Sequence, residues 1–486
     1  MTDQDRGVVF PVSADGRRST AAVGRAVVAD ALRPVDPVGA QQAERETSWR
    51  AGYPSHFRRL VEAGLSSPES AVGVAAAGLG SARDRLEVAD APGATLEEWA
   101  GSEPAERLET VELRGHGHAE RELSLPLHGR RLRGAELHDQ LDTWVGDGVM
   151  EPTAAEAVRT VMANPDWLRL EGRTVVVLGA GAEMGPLQAL LRWGADVAAV
   201  DLALPHVWER VAAAVSEGAG TARVPGRPGG GAWQRRAGVD LIAEVPRVGS
   251  WLETVPGSLV LGNYVYADGA TNVRVSAAVD ALTTRLLGSR PDTALAFLAT
   301  PTDVFAVPGD AVEHSTRCYE GRSAAAKLVA RPLRAVSGGR LLHRAYAPGA
   351  DPGLNDSLVP QQGPNYALAK RLQRWRATVA RHEGATVSLN VAPPTRTRSV
   401  VKNRALAAAY AGAHRFGVEV FEPATSNVLM AALLVHDLHT RGGPPHPHPW
   451  QDEAHGAVHG GLWRTAYAPR SALGLAALLG YGAARA

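Results

Sequence analysis

Cysteine is nearly absent. The 486-residue chain has one, Cys318, which excludes an internal disulfide framework and a cysteine-based metal site. Net charge is absent as well, because 51 acidic and 51 basic residues cancel. A binder of nucleic acid or acidic surfaces needs a basic excess, so neither partner is expected. No uninterrupted apolar run reaches about 18 residues, the length needed to cross a bilayer. The start, Met1-Thr2-Asp3-Gln4-Asp5, lacks the basic stretch and apolar core of a secretory signal. A cytoplasmic protein without membrane contact is the expectation, with the apolar run Ala472 to Ala484 packed as a helix. The histidine pairs His116/His118 and His446/His448 lie in loop-like sequence without a supporting ligand pattern, so no metal is expected.

Lysine is the most informative scarcity. Only Lys327, Lys370 and Lys402 occur among the 51 basic residues. Arginine evidently serves wherever plain positive charge suffices, so each remaining lysine is a candidate for work that a wide planar guanidinium cannot do.

What is present is enough for a large core, with 45% apolar residues, and the length suggests two or three folding units. Residues 1–150 mix helix and strand signals without a nameable motif. Arg121 to Leu125 reads as a strand, Ala135 to Val145 and Pro152 to Met162 as helices, and the run from Pro225 to Gly231 as a loop. From about residue 170 short β-branched runs alternate with helical patterns. Strands are predicted at Thr174–Leu178, Val197–Val200, Ser258–Val265, Ala294–Ala299 and Thr386–Val391. Helices are predicted at Gly185–Trp193, Val273–Leu287 and Tyr366–His382. That alternation implies a doubly wound parallel sheet. The expected fold is a Rossmann-type α/β domain over 165–440, preceded by a smaller α+β domain over 1–150 and followed by an extension, 441–486, near the active site.

The strand at Thr174–Leu178 runs into Gly179-Ala180-Gly181-Ala182-Glu183-Met184-Gly185 and then a helix. Small residues let the backbone turn and approach a pyrophosphate, and a following helix offers free N–H groups. Asp201, 22 residues after Gly179, closes the next strand. A carboxylate there can accept ribose hydroxyls and would repel a 2′-phosphate, so NAD is the expected cofactor.

Lys370 lies four residues after Tyr366, which puts both side chains on one helix face. An ammonium beside a phenol favours the phenolate and should lower the tyrosine pKa toward working pH. The arginines that follow, Arg371, Arg374, Arg376 and Arg381, alternate with Leu372 and Trp375 and read as the polar edge of a packed helix.

With these residues in place, the stretch from about 170 to 440 resembles the short-chain dehydrogenase/reductase superfamily. Gly179, Gly181 and Gly185 resemble its glycine loop, with Glu183 where the middle glycine normally falls. Asp201 matches its NAD-selecting acid, Asp240 the acid that contacts adenine, and Asn263 the start of its Asn-Asn-Ala-Gly segment. Asn272 corresponds to the structural and proton-relay asparagine, and Tyr366 with Lys370 to the catalytic pair. Val387 to Thr397 resembles the strand and loop that close over the nicotinamide, carrying Pro393 and Thr397, with Pro394 replacing glycine. The resemblance implies a ketoreductase-like oxidoreductase of a small-molecule or acyl substrate, and a homo-oligomer. It also leaves open a lyase, epimerase or dehydratase using bound NAD transiently, or a non-catalytic NAD sensor. Two departures stand out. The span from Thr300 to Tyr366 holds an insertion, 303–365, expected as a lid or substrate cradle. The family serine is missing; Thr300 is its replacement by spacing, with Thr302 and Ser357 as rivals and substrate contacts.

Overall fold

Runs of valine, alanine and leucine become the inner strands of one seven-stranded sheet. The computed structural model describes residues 6–13 and 16–482; Met1 to Asp5 and the end of the expected terminal helix lie outside them. The strands are β1 (Glu109–Arg114), β2 (Arg173–Leu178), β3 (Asp196–Val200), β4 (Thr221–Gly226), β5 (Ser258–Asn263), β6 (Ala294–Ala299) and β7 (Val387–Val391). Their order is β7-β6-β5-β2-β3-β4-β1. All neighbours are parallel except β1, which runs antiparallel to β4 with Thr110 opposite Pro225. After the edge strand β1, the parallel part of the sheet starts at the centre with β2, winds outward through β3 and β4, returns to β5, and winds outward the other way. This is a doubly wound, Rossmann-like α/β fold, with its switch point between β2 and β5.

Side chains alternate between the sheet's two faces. Val175 and Val177 enter one core, with Val197, Ala199, Val224 and Val260. Val176 and Leu178 enter the other, with Ala198, Val200, Leu261 and Leu295. On the first face lie α1 (Leu187–Trp193) and, in the same core, the helices Pro152–Ala163 and Pro423–His439. On the second lie α2 (Gly269–Ser289) and α3 (Pro364–His382).

The first 150 residues do not stand apart from the sheet. Val23, Val27, Phe57 and Leu79, from helices Thr20–Leu32, Trp49–Gly64 and Pro68–Arg85, share the core that holds Leu178, Val273 and Leu372. β1 completes the sheet's edge. Contact with α3 is close: a Cβ at Gly78 would lie 2.3 Å from the Trp375 ring, so a larger residue there would force the two helices apart. In this segment the expected strand at Arg121–Leu125 is instead Leu125–Leu127, paired with Arg130–Leu132. Pro225 and Gly226, read as loop, end β4; proline is tolerated where its partner is an antiparallel edge strand.

The insertion is built rather than loose. Its strands Val304–Val307 and Gly353–Asp356 pair antiparallel, and helices Gly309–Glu320 and Ala324–Val336 lie between them.

Candidate active site

The glycine loop leaves the C-terminal end of β2 at the switch point. Gly179 has φ +86°, a conformation that side-chain-bearing residues avoid, and a Cβ there would meet the Tyr264 carbonyl at 3.0 Å. Ala182 and Gly185 then close successive turns through N–H bonds to Gly179 and Ala182 oxygens (2.9 and 3.2 Å). Two more turn residues than expected precede α1, which begins at Leu187 rather than Gly185.

Asp201 reaches back to this loop. Its carboxylate accepts from the Gly181 N–H (2.7 Å) and from the Leu202 N–H (2.7 Å). Arg210 also comes here: its Nη2 lies 3.1 Å from where a Gly181 Cβ would be, and Asp201 Oδ2 lies 3.2 Å from the same point. Asp240 follows directly, since the Val239 N–H donates to the Asp201 carbonyl (2.9 Å). Its own carboxylate accepts from the Ile242 N–H (2.9 Å). Asn263 is buried at the end of β5, opposite Leu178.

Glu183, in the middle-glycine position, clasps the segment after β7. It accepts from the Arg398 N–H (2.8 Å) and pairs with the Arg398 guanidinium (3.2 Å). From the same segment Pro393 and Pro394 are buried, and Thr397 hydroxyl meets Ser399 at 2.9 Å. Asn427 donates to the Gly185 carbonyl and fixes the loop from beneath.

Tyr366 stands in the first turn of α3, on the same edge of the sheet. Its ring meets Tyr266, three residues beyond β5, edge-to-face at 6.3 Å between centroids. Its hydroxyl lies beside the Thr300 hydroxyl and the Gln362 amide. Thr300 and Thr302 hydroxyls are 2.9 Å apart, and Thr302 donates to Gln362 Oε1 (3.0 Å). The four side chains form a hydroxyl–amide cluster at the end of β6. Ser357, the rival for the family serine, is buried beside Asp303, whose carbonyl accepts from its N–H (3.1 Å), and its hydroxyl donates to Asn355 (2.5 Å).

An ion cluster holds the threonines in front of the phenol. Asp303 is 1% exposed and accepts from Arg371 (2.7 Å), Arg374 (2.7 Å) and the Val304 N–H (2.7 Å). Arg374 also grips Glu453 (2.6 Å) and stacks over Phe305. Despite the cost of burial, the two arginines keep the Asp303 carboxyl below its usual pKa. The arginines of α3 are thus buried partners rather than the polar edge that their spacing suggested; Arg376 likewise pairs with buried Asp280 at 2.6 Å.

The expected pull of Lys370 on the phenol is not what this geometry produces. Burial raises the Tyr366 pKa, the Thr300 hydroxyl opposes it, Asp303 adds to it, and Gln362 opposes it again. Lys370 instead donates to Gln373 (3.0 Å), and desolvation lowers its own pKa to about 8. Beside it runs a polar seam. The Arg376–Asp280 bond sets α2 against α3, which follow neighbouring parallel strands in the same direction. Asn272 and Ser276 lie earlier on α2, and Lys370 and Gln373 earlier on α3. Asn272 Oδ1 accepts from the Ala267 N–H (3.3 Å), while Asn272 Nδ2, Ser276 Oγ and Gln373 Nε2 are buried without a partner. Such donors are the usual company of an ordered water.

Gln362, Tyr266 and Tyr410 belong to this site and carry no sequence motif. Tyr410 is half-buried close enough to Tyr366 for the Tyr366 phenol to add to its cost of ionisation. Among the described residues, no group of three or more His, Cys, Asp or Glu side chains is arranged to hold a metal ion, and no helix is long and apolar enough to cross a membrane. Neither the protein-family models nor the curated proteins compared with this chain match it.

Proposed function

We propose that the chain is an NAD(H)-dependent oxidoreductase that interconverts a ketone and a secondary alcohol. The observation that carries this reading is the protonated Tyr366, half-buried and set against Thr300 and Gln362 at the C-terminal edge of a doubly wound sheet. The glycine loop fits the cofactor: a Cβ at Gly179 would strike backbone, and Gly181 leaves bare main chain beside the Asp201 carboxylate. Gly179, Gly181 and Gly185 would hold the pyrophosphate, Asp201 the adenosine ribose and Asp240 the adenine edge. Asn263, Pro393 and Thr397 would border the nicotinamide. Bound NADH supplies the hydride, and the protein supplies position and proton.

Tyr366 gives its phenolic proton to the substrate's carbonyl oxygen as that oxygen gains charge. A pKa held high by burial suits a proton donor: the phenol is neutral at pH 7. Thr300 orients the same oxygen with a hydroxyl fixed by Thr302 and Gln362. Lys370 holds the cofactor's ribose, and the Asn272 seam offers a water route by which the proton is replaced.

Tyr366→Phe tests the assignment. Turnover of NADH with a panel of methyl ketones should fall by two to four orders of magnitude, on the order expected for loss of a general acid. Fluorescence titration with NADH should change little. Near-normal turnover removes Tyr366 from the chemistry.

A further inference from the structure

Beside the Thr300–Thr302 pair opens a narrow, partly open cavity of about 70 Å³. It lies under the insertion and against the last helices of the chain. Its walls include Val418, Phe416 and Leu473. Pro394, from the segment after β7, and Tyr410 line the side toward Tyr366. Thr302 lines it too, and Thr302 is the residue hydrogen-bonded to Thr300.

The walls are overwhelmingly carbon. The charged group among them, Arg470, already pairs with Asp356 (2.7 Å), so it does not wait for an acidic substrate. The Ser357 hydroxyl is committed to Asn355 and the Thr302 hydroxyl to Gln362. A ligand rich in hydroxyls or charge would leave its polar groups unpaired here, at a cost that an apolar ligand does not meet.

We propose that this cavity receives the apolar body of the substrate: a ketone, or its alcohol, carried on an extended hydrocarbon chain or ring system. The hydrocarbon fills the cavity, and the carbonyl stops at the threonine end, where Thr300 and Tyr366 hydroxyls converge. The inference rests on the hydride-transfer reading for the word substrate, but the ligand class rests on the cavity alone.

The two are separable by experiment. Calorimetric titration of the full chain with 2-decanone and 2-butanone measures the cavity without any turnover. Each buried methylene is worth about fourfold in affinity, so 2-decanone, longer by six methylenes, should bind at least about a hundredfold more tightly. Ala413→Trp, which fills the cavity from its wall, should erase that preference. Equal affinity for the two ketones in the wild-type chain overturns the proposal, and does so whether or not the variant folds. A preference that survives in a folded Ala413→Trp chain also overturns it. NADH oxidation is the second arm: kcat/KM should favour 2-decanone by a similar factor. Tight binding of 2-decanone with no NADH-dependent turnover upholds the apolar ligand and refutes the hydride-transfer reading instead.

Discussion

Replacing Lys370 with methionine should make the protein more stable and less active at the same time. The ammonium is half-buried beside Gln373 on α3, where desolvation moves its pKa from 10.5 to about 8. At about 1.36 kcal/mol per pH unit, carrying that charge in the folded state costs roughly 3 kcal/mol at pH 7 before any discount for solvent. Partial exposure and the bond to Gln373 argue for discounting this to about 1–3 kcal/mol. Methionine keeps the length and apolar stem of the side chain and removes the charge. The sign follows from proton counting. Between pH 8 and 10.5 the unfolded chain holds the lysine proton and the folded chain does not, so wild-type stability gains as pH rises through that window. Below about 8 the full cost is present. With an unfolding entropy of about 2.1 cal/mol/K per residue, a chain of 486 residues should gain roughly 1 °C in Tm per kcal/mol. Scanning calorimetry should therefore show Lys370→Met melting about 1–3 °C higher at pH 7, with the gap narrowing toward pH 10. Ketone turnover should be lost. A variant that melts lower at pH 7, or a gap that is indifferent to pH, would show that this lysine carries no electrostatic cost. It would also remove the argument that function retains it in a chain that otherwise uses arginine.

Lys370→Arg keeps the charge but should still cripple turnover, because the broader head cannot take the place of a compact ammonium against a ribose; an active variant shows the lysine to be incidental. NAD(H) should bind about tenfold more tightly than NADP(H), because a 2′-phosphate some 4 Å from Asp201 meets repulsion of roughly 4 kcal/mol before screening and Arg210 offsets part of the remainder. Asp201→Ala should narrow the gap, and equal or tighter NADP(H) binding in the wild-type titration refutes the assignment. Glu151→Ala should cost about 3–5 kcal/mol by denaturant titration, since it strips buried Arg464 (2.6 Å) and His459 (2.9 Å) of their shared carboxylate. The Glu151 pKa is lowered to about 2, so this penalty should be complete above pH 4.5 and fade as pH falls toward 2. A penalty unchanged at pH 3 would point to packing rather than charge.

The parallel strands were legible because a strand buried on both faces has to be apolar throughout. Thr174–Leu178 and Ala294–Ala299 stood out for that reason, and the observed strands differ from the expectation by two residues at most. β4 escaped notice because it borders the edge strand and ends in Pro225-Gly226, residues that read as a turn. β1 has exposed and half-buried side chains only, so it leaves little apolar signal. The helix of Tyr366 was visible from its periodicity, yet the burial of its arginines was not. Their partners Asp280, Asp303 and Glu453 are 68 to 96 residues away in sequence, and local spacing carries no trace of such pairings. Tyr366, Lys370 and Thr300 could be nominated from spacing, and the structure brings Tyr366 and Thr300 together. Gln362 and Tyr410 could not be nominated, because their proximity arises from how the insertion and the C-terminal helices fold over the sheet.

The clasp between Glu183 and Arg398 ties the glycine loop to the segment after β7, across the ends of β5 and β6. Arg398 is 71% exposed, and exposed pairs of this kind contribute about 0–1 kcal/mol. A guard that weak is never fully shut. At about 1 kcal/mol it stands open roughly one-sixth of the time, so an entering dinucleotide would lose at most about a factor of six in apparent affinity. Its effect is on timing: the crevice is sheltered at most moments, yet it reopens without help.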